Sequence, residues 1–139
     1  MRSPNEAVPP ALRTWFAIHF AADLVFAIPL FVAPRAFLSL LGWAEVDPLA
    51  TRMVAAALFG IGIQSLLGRK ESAEAFRGML NLKIIWSSTA TIGILASIAQ
   101  GSAPMAWGFA AIFAAFCGVW SYWRMQLAKP PPVAVGEGA

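Results

Sequence analysis

His19 and Asp23 are the pair in this chain best placed to do chemistry. Residues four apart stack on one helix face, so an imidazole and a carboxylate at this spacing can meet and share a proton. His19 is the single histidine, and both residues stand inside "TWFAIHFAADLVFAIPLFVA", residues 14–33, a run otherwise suited to lipid. A charged side chain at the centre of a bilayer costs at least about 2.5–3.5 kcal/mol, so it is expected to face other helices and find a partner there. Lys83 is the only lysine or arginine well inside another apolar run, and with Ser87, Thr91 and Ile94 it forms one helical stripe. The expectation is an Asp23–Lys83 contact, direct or through water, with His19 and Gln64 as hydrogen-bond partners. Such a cluster either fixes helix register or serves as a working site.

Other chemistries have little support. One histidine and one cysteine, Cys117, rule out a bis-histidine haem, an intrachain disulfide and a cysteine-based metal site within one chain. Cys117 reads as a small buried hydrophobe. No phosphate-binding loop, nucleophile elbow or zinc-protease signature is present, so the residues point away from catalysis and name no cofactor. Net charge is +3, but the basic residues lie between apolar runs, and no basic patch alternates with exposed aromatics as nucleic-acid binding would require.

The elements that must position these residues are membrane helices. The chain has 139 residues, 59% hydrophobic and 12% charged, with mean hydropathy +0.68. A soluble domain carries about a quarter charged residues, and a chain this short cannot bury so much apolar surface in water. Four windows reach the roughly 20 residues needed to cross the hydrocarbon core. They fall at about 14–33, 49–68, 78–99 and 103–123, after a leader of residues 1–13. The spacing predicts an all-α, integral membrane four-helix antiparallel bundle over 14–124, with a disordered proline- and glycine-bearing tail at 125–139. Pro34 closes the first span, Asp47-Pro48 supplies the N-cap and first turn of the second, and Gln100-Gly101-Ser102 is a tight turn before the fourth. "RAFLSLLGW", residues 35–43, is too short to cross. It is expected either in the membrane interface, with Trp43 at headgroup depth, or folded onto the bundle.

Charge sets the direction. Arg2, Arg13, Arg69, Lys70, Arg77, Arg124, Lys129 and the shallow Lys83 share one side, against Arg35 and Arg52 on the other. The positive-inside rule then places both termini in the cytoplasm of a bacterial-type inner (plasma) membrane. At 1.5 Å per residue, His19 lies about 9 Å in from Arg13, Asp23 about 15 Å in, and Lys83 about 9 Å in from Arg77. Gln64, Asn81 and Tyr122 reach similar depth from the other spans. Trp86, one turn past Lys83, is a candidate wall of the same pocket. Trp15, Trp107, Trp120 and Trp123 lie toward span ends, as interfacial anchors do. Small-residue pairs at i, i+4 (Ala56 with Gly60, Ala111 with Ala115, Ala114 with Gly118) suggest close intramolecular helix packing. Arg52 is expected to clamp Glu45 or Asp47.

The stretch "APRAFLSLLGWAEVDPLATRMVAAALFGIGIQSLLGR", residues 33–69, resembles small bacterial four-helix membrane proteins of DoxX-like type. The likeness rests on a "P..FL.LLG" segment after the first helix, a "DP" before the second, and a glycine-bearing second helix. It implies the same four-span fold. Some relatives of that type are linked to quinone-dependent redox complexes, and the likeness carries no catalytic residue onto this chain.

The expected function is non-enzymatic: a membrane subunit that binds a small molecule, lipid or proton at His19, Asp23, Gln64, Asn81, Lys83, Trp86 and Tyr122. Its expected partners are the lipid bilayer and either a second copy of itself or a membrane complex. Two alternatives stay open: a transporter or channel component with an Asp23/Lys83 relay, and a structural subunit of a quinone-linked complex. A cavity beside Lys83 and Trp86 would favour binding, whereas a sealed Asp23–Lys83 pair would favour structure.

Overall fold

A computed structural model describes residues 8–127. Arg2, Lys129 and the tail from residue 128 lie outside the described residues. Within them the chain is all-helical, with five helices and no strand. Helix α1 spans Pro10–Val32, α2 Pro34–Leu40, α3 Pro48–Gly68, α4 Ala73–Ala99 and α5 Ala106–Gln126. All but α2 are long and apolar enough to cross a membrane.

Local chemistry explains the boundaries. The Asp47 carboxylate accepts from the backbone N–H of Leu49 at 2.8 Å and Ala50 at 3.3 Å, and Pro48 occupies the first turn of α3. Ser72 caps α4 by accepting from the Ala75 N–H, and Glu74 stands in the first turn. The helix therefore starts five residues before the apolar window, because its first turn is charged and lies beyond a hydropathy count. Gly101, with φ +88°, makes the turn between α4 and α5.

The helices pack as two tight pairs, α1 along α3 and α4 along α5. Arginines tie the pairs end to end. Arg13 at the start of α1 donates to the Arg69 carbonyl at the end of α3. Arg52 at the start of α3 donates to the Phe31 carbonyl at the end of α1, at 3.0 Å. Arg77 at the start of α4 donates to the Leu127 carbonyl just beyond α5, at 3.1 Å. Each guanidinium meets carbonyls that the helix itself leaves unpaired. Arg52 thus caps α1 rather than clamping Glu45 or Asp47, the latter being engaged at its own helix N-terminus.

The buried residues of α1, Leu12, Phe16, His19, Asp23, Ala27 and Leu30, form a single stripe at three- and four-residue spacing. At the arginine-rich end the two pairs meet through Leu12, Phe16, Phe76, Leu80, Trp120 and Leu127. The Phe16 and Phe76 rings lie 4.6 Å apart there. At the other end Ala27, Leu30, Ala55 and Leu58 hold α1 to α3, with Phe37 and Leu38 of α2 folded onto them. The short helix therefore packs on its neighbours with one face and leaves Leu40 exposed. On α4, burial stops at Ser87 although the stripe continues through Ala90, Ile94 and Ser97. Those residues face a gap between the two pairs.

Two packing expectations are corrected. Ala56, Gly60, Ala111, Ala114, Ala115 and Gly118 all face outward. The close approach of α1 to α3 uses Gly62 instead, where an added Cβ would stand 2.9 Å from the Asp23 Cβ. Trp120 is fully buried against Phe16 and His19 rather than anchored at the interface.

Candidate functional site

The gap between the pairs is a half-enclosed cleft of about 800 Å³. Its walls run along α4 from Lys83 to Ser97, about 21 Å of helix. The lining is mostly apolar and aromatic, with Phe26, Trp86, Phe109, Phe113 and Phe116 prominent. Trp43, in the loop after α2, borders the far end, its ring 5.9 Å from that of Phe109. His19, Asp23, Lys83 and Ser87 form the polar floor.

The floor is built around Lys83, which is only 3% exposed. Its Nζ donates to Ser65 Oγ at 2.6 Å and lies 3.1 Å from His19 Nδ1. It also stands 5.0 Å from the ring centres of both Phe16 and Trp120, so two aromatic faces help hold the ammonium. The Ser65 hydroxyl donates to the Ile61 carbonyl at 2.6 Å, leaving its oxygen free to accept from the lysine. Phe116 and Trp120 meet the imidazole edge-to-face at 4.9 and 5.0 Å. Helices α1, α3, α4 and α5 thus each contribute to one small polar site.

Asp23 lies on the other side of the imidazole. Its Oδ2 is 2.9 Å from His19 Nδ1, the nitrogen that also faces Lys83. A ring nitrogen carries either a lone pair or a proton, so Nδ1 can serve one of these neighbours and not both. The contact with Asp23 is close but misaligned, and Oδ2 is buried with no hydrogen-bond partner among the described residues. Asp23 and Lys83 therefore both stand against His19 Nδ1, with no direct ion pair between them.

The structure gathers His19, Asp23, Lys83 and Trp86 around the cleft and disperses the other sequence candidates. Gln64 is exposed, its amide 4.0 Å from Met79 Sδ. Asn81 accepts from Arg124 Nε at 2.9 Å on the outside of α4 and α5. Tyr122 is half exposed beside Trp123. The expected role of Gln64 falls to its neighbour Ser65, because the buried face of α3 runs Ala55, Leu58, Gly62 and Ser65. That stripe was readable from the sequence, and continuing it from Leu58 and Gly62 reaches Ser65 and misses Gln64. Phe16 and Trp120 were also missed as partners of Lys83. Among the described residues no three His, Cys, Asp or Glu side chains gather as a metal site would need. No family model, curated protein or solved structure matches this chain.

Proposed function

We propose that this chain is a non-enzymatic binding protein of a bacterial-type inner membrane. Its four spans run antiparallel with both termini in the cytoplasm, and a small amphipathic molecule occupies the cleft with its polar end at His19, Asp23 and Lys83. The observation that carries this reading is the cleft itself: about 800 Å³ of largely apolar space ending on a buried polar cluster. Small-molecule sites have this size and this make-up, an apolar enclosure with a few placed polar groups. The end-to-end arginine contacts support the antiparallel arrangement, and the distribution of charge supports the orientation. A structural subunit would be better served by a sealed Asp23–Lys83 pair with no space beside it.

Gly93 provides the test. It lines the cleft, and a side chain added there meets nothing within 4 Å. Gly93→Phe is expected to leave thermal stability close to wild type while filling the space. Native mass spectrometry of protein taken from its membrane is expected to find a retained small molecule on the wild type and none on the variant. Equal retention by both, or none on either, would sink the proposal.

A further inference from the structure

We infer that the molecule in the cleft is an apolar compound ending in a neutral hydrogen-bond donor, a hydroxyl, which it presents to Asp23. This rests on the binding reading above and names the ligand class. None of the donors on the polar floor reaches the Asp23 carboxylate in good alignment. Lys83 spends its N–H groups on His19, Ser65 and the two aromatic faces. Ser87 Oγ donates back into its own helix, to the Lys83 carbonyl at 2.7 Å. Ser65 Oγ is committed to Ile61. Asp23 is 7% exposed and lines the wall of the cleft, and no described residue donates an aligned hydrogen bond to its carboxylate; Oδ2 is sealed beside Gly62 of α3, so a ligand reaches the part of the side chain that remains open to the cleft. A buried carboxylate without a donor is costly, and a ligand that supplies one removes that cost.

Charge selects among donors. Asp23 and Lys83 already balance, so an ammonium ligand would leave two cations facing one carboxylate in a poorly screened site. A carboxylate ligand would place a second anion beside Asp23. A ketone or ether brings only acceptors, which Asp23 cannot use. A hydroxyl adds a donor and no charge, and the apolar slot above the floor takes the rest of the molecule.

The test is a matched series on the wild-type protein in nanodiscs: hexadecanol, its methyl ether, hexadecylamine and palmitic acid, read by quenching of tryptophan fluorescence with brominated analogues. A hydrogen bond to a charged group amounts to roughly a ten- to hundredfold difference in affinity. The alcohol is expected to bind at least about tenfold tighter than the ether, amine and acid. Asp23→Asn is expected to erase most of that preference. If the ether, amine or acid matches or exceeds the alcohol, the hydroxyl assignment fails while the cleft remains a binding site. If no member of the series binds, the binding reading fails with it.

Discussion

Lys83 is the charge on which the polar floor depends. Its ammonium meets Ser65, His19 and two aromatic faces, and Asp23 stands against the same His19 nitrogen. Taking it away leaves Asp23 as an uncompensated charge within the membrane, a penalty of about 2.5–3.5 kcal/mol. Lys83→Met is therefore expected to lower thermal stability strongly, and Asp23→Asn to lower it less. The double variant is expected to be more stable than the sum of the two losses, because the remaining site is neutral. Thermal unfolding of the four proteins in one detergent gives the coupling. Strict additivity would show that the two charges do not sense each other. The sequence made His19, Asp23 and Lys83 legible because ionisable residues in apolar runs are few and costly. It could not show that His19 stands between the other two, since that depends on how deeply α1 and α4 slide past each other.

At the scale of the helix, Gly62 sets how closely α1 can approach α3. A Cβ there would stand 2.9 Å from the Asp23 Cβ and 3.1 Å from its Oδ2, and both are held by packing rather than free to swing aside. Gly62→Ala is expected to destabilise by about 1–3 kcal/mol and to disturb the floor of the cleft. Gly60, two residues earlier, faces open space. Gly60→Ala is expected to be neutral or to stabilise by about 0.5–1 kcal/mol, since alanine loses less backbone freedom in a helix. Comparing the two melting temperatures separates helix propensity from packing, and equal shifts would contradict the close approach. Small-residue spacing on its own had pointed to Ala56 and Gly60. Both the outward and the inward face of α3 carry small residues, so the pattern cannot tell which face is covered. The exposed face sees lipid, which is as apolar as a neighbouring helix, so the hydrophobic signal that orients a soluble helix is weak here.

For the whole molecule, two helix pairs joined at the arginine-rich end and parted at the other make the cleft. The proposed topology places Glu71, between α3 and α4, in the cytoplasm and Ser102, between α4 and α5, on the opposite side. In a Cys117→Ala background, Glu71→Cys and Ser102→Cys are expected to react with an impermeant thiol reagent from opposite faces of the membrane. Labelling of both from the same face would overturn the arrangement of spans.

What the sequence by itself determined is the class of molecule and its segmentation. Four long apolar runs and the cap at Asp47-Pro48 follow from local composition and backbone chemistry, and both can be read one segment at a time. What only the tertiary structure decided is which polar side chains meet and where the empty space lies. Ser65 rather than Gln64 faces Lys83, Trp120 is buried rather than interfacial, and the stripe of α4 past Ser87 faces a cleft instead of a neighbour. Each of these depends on helix rotation and on the separation of the two pairs. Those are set by contacts between distant segments, such as Phe16 on Phe76 and Gly62 on Asp23, which no local pattern encodes.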